Sequence, residues 1–121
     1  MATVRYIVDD VPSAIEFYTK FLDFTVKQEM GAAFAMVERG DLILWLAGPG
    51  SSARRPMPDG AAPVPGGWNR LVIEVTDIAD TVKRLRDAGG RFRNDIVTGP
   101  GGQQILIEDP FGNPIEIFQP A

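Results

Sequence analysis

Gly40-Asp41-Leu42-Ile43-Leu44-Trp45-Leu46 and, 72 residues further on, Gly112-Asn113-Pro114-Ile115-Glu116-Ile117-Phe118 read as two versions of one segment. Each is a polar turn followed by an apolar run of strand length. The residues upstream repeat as well. Val8-Asp9-Asp10 precedes the first helical pattern, and Val75-Thr76-Asp77 precedes the second, with Asp77 lying 67 residues after Asp10. The chain therefore reads as one unit written twice, over residues 3–46 and 70–118. A repeated unit that cannot bury its apolar face alone implies that its copies pack together. Function is then expected between them.

Within the first copy, Val4, Tyr6 and Val8 alternate with Thr3, Arg5 and Ile7, the period of a half-buried strand. Asp10 is placed to cap a helix that tolerates Pro12 in its first turn. Ala14, Tyr18 and Phe21, with Ile15 and Leu22, form the apolar face of that helix, and Asp23 ends it. Strands are expected near 25–30, 34–39 and 42–47. In the second copy Leu71, Ile73 and Val75 alternate with Arg70, Val72 and Glu74. Asp77 caps a helix carrying Ile78, Val82 and Leu85 on one face, and Gly89-Gly90 stops it. Strands are expected near 91–95, 103–108 and 114–118. Between the copies, residues 48–67 hold five Gly and five Pro, which suits no core element. This stretch is either a linker or a loop that closes over a pocket.

The 121 residues suit a single domain with a real core, divided into module 1 (about 1–47), the connecting loop (48–67) and module 2 (about 68–121). A net charge of −4 argues against a nucleic-acid surface. No apolar run has the length of a membrane span. Arg5, Asp9 and Asp10 make the first ten residues unlike a secretory signal, so a cytoplasmic location is expected. Zero Cys removes disulfides, thiolate metal sites and a Cys nucleophile. Zero His removes the usual neutral-pH acid/base group, and with it any Ser-His triad for Ser51 or Ser52.

Val8-Asp9-Asp10 with Phe17-Tyr18 and Leu22-Asp23-Phe24 resembles the opening of the vicinal oxygen chelate superfamily, which includes glyoxalases, bleomycin-resistance proteins, fosfomycin-resistance enzymes and extradiol dioxygenases. Ile107-Glu108-Asp109-Pro110-Phe111-Gly112-Asn113-Pro114-Ile115-Glu116-Ile117 looks like its closing segment. The resemblance spans nearly the whole chain. It is more specific for fold than for reaction. It implies an α+β fold of two βαβββ modules related by a pseudo-two-fold, with curved mixed sheets forming a cup. Phe34 through Leu42 is similar to the third and fourth strands of bleomycin-resistance proteins, which implies a homodimer.

Strand alternation places Thr3, Arg5, Ile7, Leu42, Leu44 and Leu46 on the inner face of the first sheet, and sends Trp45 into the core. The second sheet would present Arg70, Val72, Glu74, Glu116 and Phe118. Family enzymes hold a divalent metal through His and Glu side chains, one from each of four strands. The two offsets put Thr3, Leu44, Arg70 and Glu116 at those places. Only Glu116 is a strong ligand, so no metal and no other cofactor is expected. Arg70 and Glu116 are instead expected to form an ion pair, either structural or functional. Arg5 and Glu74 make a second possible pair. Trp68 either stacks on a flat ligand or anchors the loop.

Three functions remain open. The leading one is a metal-free binding protein that sequesters a small amphipathic or aromatic molecule, as in bleomycin resistance, a form of antibiotic resistance. Its ligand-binding residues would be Thr3, Arg5, Leu44, Trp68, Arg70, Val72, Glu116 and Phe118. The second is a glyoxalase-like lyase, isomerase or dioxygenase, with or without metal, drawing on Glu116, Arg70 and Glu74 for catalysis. The third is an interaction module with no small ligand.

Overall fold

A computed structural model describes residues 2–121. The chain divides into two compact units, Met1–Pro65 and Gly66–Ala121. The first contains β1 (Ala2–Ile7), α1 (Val11–Phe21), β2 (Thr25–Met30), β3 (Phe34–Arg39) and β4 (Leu42–Ala47). Its sheet runs β1-β4-β3-β2, with β1 parallel to β4 and the other pairs antiparallel. Local chemistry sets the limits of α1. The Asp10 side chain accepts a hydrogen bond from the Ser13 amide at 3.1 Å, satisfying one donor that the first turn leaves orphaned. Asp23 adopts a left-handed φ of 57° just beyond the helix, which reverses the chain into β2. Val11, Ala14, Phe17, Tyr18 and Leu22 bury the helix face against the sheet, with Tyr18 edge-on to both Phe17 and Phe24.

The second unit contains β5 (Leu71–Glu74), α2 (Ile78–Asp87), β6 (Arg91–Phe92), β7 (Val97–Gly99), β8 (Gly102–Glu108) and β9 (Pro114–Pro120). Its sheet runs β5-β9-β8-β6, with β7 also paired to β8. A parallel outer pair followed by antiparallel strands is the topology of the first unit. The first unit is βαβββ, the second repeats that order with one added short strand, β7, and the fold is α+β. Asp77 caps α2 through the Asp80 amide at 3.0 Å, and Gln119 Oε1 accepts from the Ile78 amide at 2.8 Å. Ile78, Thr81, Val82 and Leu85 are buried beneath the helix, together with Leu71, Ile73, Ile105, Ile107, Ile115 and Ile117 from the sheet.

The strand expected near 91–95 breaks off after β6, and a strand that was not expected, β7, follows at Val97–Gly99. Asn94 causes the break. Its Oδ1 accepts the Leu106 amide at 2.8 Å, so a side chain replaces the backbone acceptor and the ladder with β8 is interrupted. The stretch expected to be irregular has one short helical turn, Ser52–Arg54, with no buried residue. Its start is tied to the first unit by Arg54 Nη1, which donates to Val8 O at 2.8 Å and Asp9 Oδ1 at 3.2 Å. Its last residues are tied to the second unit, where the Gly66 amide donates to Asn113 Oδ1 at 2.9 Å. Among the described residues no helix is long and apolar enough to cross a membrane.

One glycine is held by both conformation and space. Gly102 has φ 143°, and a Cβ there would collide with the Gln119 carbonyl oxygen across the β8–β9 ladder. Because the obstruction is backbone, Gly102→Ala is expected to destabilise the chain by about 2 kcal/mol in equilibrium urea unfolding. A value within about 0.5 kcal/mol of the parent would mean that the end of β9 moves aside freely.

Candidate functional site

The pleat of each sheet separates a face packed on its helix from a face turned away from it. In the second unit Leu71 and Ile73 lie opposite Ile115 and Ile117, all four buried toward α2. The intervening pairs, Val72 with Glu116 and Glu74 with Phe118, therefore occupy the opposite face. Arg70, just before β5, reaches Glu116 there. Its Nε and Nη2 donate to the same oxygen, Glu116 Oε1, at 3.2 and 2.9 Å, while Nη1 reaches the Trp68 carbonyl at 3.4 Å. Glu116 Oε2 accepts no hydrogen bond among the described residues. The Glu116 side chain is 13% exposed and that of Arg70 33%, so the carboxylate is the more desolvated partner and gains more from the pairing. Val72 is 53% exposed beside them. Glu74 also borders a groove of about 450 Å³ at the ends of β5 and β9, shared with Val75, Thr76, Gln119, Pro120 and Ala121.

Trp68 is 70% exposed, an unusual state for an indole, and is held from one side. The Arg93 guanidinium lies 4.6 Å from its ring centroid. Arg93 also donates through Nε to Glu108 at 2.7 Å, through Nη1 to Gly67 O at 2.7 Å and through Nη2 to Gly112 O at 3.0 Å. One side chain thus fixes the segment before β5, the β8–β9 turn and the orientation of Trp68. Sequence reasoning missed both Arg93 and Glu108. Alternation around Phe92 gives the face that Arg93 occupies, but its partners follow from strand pairing that the sequence does not spell out.

The first sheet corrects the sequence reading. Leu44 and Leu46 lie opposite Val4 and Tyr6, on the helix side, and both are fully buried. Trp45 lies opposite Arg5 on the other face, half-buried, with the Arg5 guanidinium 4.8 Å from its ring centroid. Leu44 is therefore a core residue, Leu42 and Leu46 share its face, and Trp45 is not in the core. The cause is a slip of one residue, which inverts a strand. Two residues link Arg39 to its partner Leu42, whereas five link Glu108 to its partner Pro114. Matching Gly40 to Gly112 ignores that difference. By strand register, Arg5 beside Trp45 corresponds to Val72 beside Glu116. Thr3 is exposed beside Ile43. Arg5 engages Trp45.

Of the residues that the family resemblance puts at ligand positions, Arg70 and Glu116 lie together in the second unit. They do not fit a divalent cation. One carboxylate, already bonded to a guanidinium, provides neither the charge nor the number of ligands required. Among the described residues no group of three or more His, Cys, Asp or Glu stands close enough to hold a metal ion.

The fold matches that of solved proteins across nearly the whole chain. A lactoylglutathione lyase from Agrobacterium tumefaciens superposes with a TM-score of 0.75 at 18% identity, over 98% of this chain and 92% of the other. A superfamily member from Sphaerobacter thermophilus gives 0.76 at 23% identity, over 98% and 95%. The fosfomycin resistance protein FosX from Listeria monocytogenes gives 0.75 at 12% identity, over 100% and 93%. No curated protein matches the sequence. Residues 1–117 match the family model described as Glyoxalase/Bleomycin resistance protein/Dioxygenase superfamily, and the chain belongs to that superfamily.

Proposed function

We propose that the protein binds a small amphipathic or aromatic molecule without transforming it and without a metal. The observation that carries this reading is Arg70, whose two nitrogens engage Glu116, the one strong ligand among the four positions. The superfamily includes both enzymes and resistance proteins, so membership leaves the choice to the site. A homodimer belongs to the same proposal, carried over from the bleomycin-resistance group. One observation favours a second reading. The unengaged Oε2 of Glu116 is suited to accept a proton, with Arg70 beside it to stabilise an oxyanion, which would make a metal-free glyoxalase-like enzyme.

A thermal-shift screen against hydrophobic and aromatic compounds tests both readings. A true ligand at 100 times its dissociation constant adds about 2.7 kcal/mol of stability. The shift is expected to survive exhaustive EDTA treatment, and the compound is expected to return chemically unchanged. Loss of the shift with EDTA would overturn the metal-free reading. A transformed product would favour the enzyme. Arg70→Met, which removes a partly exposed ion pair, is expected to cost about 1 kcal/mol of stability and to weaken ligand binding about tenfold. Unchanged binding would reduce the Arg70–Glu116 pair to a structural role.

A further inference from the structure

The face of the first sheet turned away from α1 carries an arrangement that its sequence does not announce. Trp45 meets Phe34 edge-on, with ring centroids 5.8 Å apart. Met36 lies opposite Trp45 in the β3–β4 register, and Met30 lies opposite Phe34 across β2. The result is a wall of aromatic and thioether side chains away from α1. Arg5 lies over that wall, 4.8 Å above the indole. Among the described residues no carboxylate or carbonyl accepts a hydrogen bond from its guanidinium, in contrast to the charge-paired Arg54, Arg70 and Arg93.

We infer that Arg5 and Trp45 form a ligand subsite for a flat aromatic molecule bearing one anionic group, a carboxylate or sulfonate. This deepens the binding function proposed above and rests on it. The reasoning is one of charge and shape. An exposed guanidinium parallel to no acceptor retains its in-plane donors, which match the two oxygens of a carboxylate. The indole holds the guanidinium plane while the apolar wall offers a surface for a ring. Methionines adapt that surface to rings of different outline. The net charge of −4 for the whole chain does not oppose this, because the local field at the subsite is set by Arg5.

The matched probes are 2-naphthoate and 2-naphthamide, which share a ring system and differ in charge. Calorimetric titration of the full chain is expected to give about tenfold tighter binding of the naphthoate, the scale of one charge-assisted hydrogen-bonded pair. Arg5→Gln is expected to weaken naphthoate about tenfold and so abolish that preference, with a smaller change for naphthamide, and Arg5→Lys is expected to recover less than half of it. In the Trp68→Phe background, naphthoate is expected to change the emission of Trp45, the remaining tryptophan. Equal binding of both probes, insensitive to Arg5→Gln, would overturn this inference and leave the binding function standing. Binding of neither probe to the parent protein would overturn this inference, whereas compounds found in the thermal-shift screen would still uphold the broader reading. A naphthoate preference that survives Arg5→Gln with no change in Trp45 emission would place the anion elsewhere and also overturn the subsite.

Discussion

Asp109→Ala is expected to destabilise the protein by about 3–4 kcal/mol, a larger loss than that of Gly102→Ala or Arg70→Met. Asp109 is fully buried at the head of the β8–β9 turn. Its Oδ1 accepts from the amides of Phe111 and Asn113, each at 2.9 Å, and its Oδ2 accepts from Asn113 Nδ2 at 2.9 Å. Alanine strands three donors in a region where Asn113 itself is only 3% exposed. A buried donor left without its partner costs about 1–3 kcal/mol, and water entering the vacated space recovers part of that. The loss extends past the turn. Asn113 also holds the Gly66 amide, and the turn sets the register that presents Glu116 to Arg70. Asp109→Asn keeps the volume but sets an amide nitrogen against Asn113 Nδ2, so it is expected to recover less than half of the loss. Equilibrium unfolding in urea, followed by both tryptophan emission and far-ultraviolet dichroism, checks this, because a chain with two compact units need not unfold in one step. A loss below about 1 kcal/mol would show that the turn is held by its backbone alone.

The architecture was legible because the determinants of each element are local. Asp10, Asp23 and Asp77 set helix ends by hydrogen bonding and by tolerance of a left-handed φ, and both properties belong to residue types. Alternation in β5 and β9 placed Arg70, Val72, Glu74, Glu116 and Phe118 on one face, where the structure also has them. The same method failed at Leu44 and Trp45. In an apolar run such as Leu42–Leu46 both faces are apolar, so alternation does not say which one meets the helix, and a glycine match between turns of unequal length favours the wrong one. Asn94 misled for a related reason, since a side chain standing in for a backbone acceptor leaves no periodic signal. Arg93 is the clearest omission. Its four partners come from positions 67, 68, 108 and 112, and only the folded sheet brings these together.

That convergence sets the second large effect. Arg93→Met is expected to cost about 2–3 kcal/mol, although ion pairs of this exposure are ordinarily worth less. The side chain of Arg93 is 17% exposed and that of Glu108 22%. Methionine preserves much of the apolar stem but leaves the Glu108 carboxylate without its cation and the Gly67 and Gly112 carbonyls without a donor. The guanidinium satisfies these acceptors because its donors point along fixed directions in one plane while its face rests on Trp68. An ammonium has no such plane, so Arg93→Lys is expected to restore less than half of the lost stability. A purely electrostatic role would predict nearly full rescue by lysine. The second readout is Trp68 itself. In the Trp45→Phe background, time-resolved anisotropy is expected to report faster local motion of Trp68 once Arg93 is gone, because the indole is 70% exposed and loses the group that orients it. Unchanged anisotropy together with full lysine rescue would mean that Arg93 serves only as a charge for Glu108, and that Trp68 is held by the backbone of Gly66-Gly67.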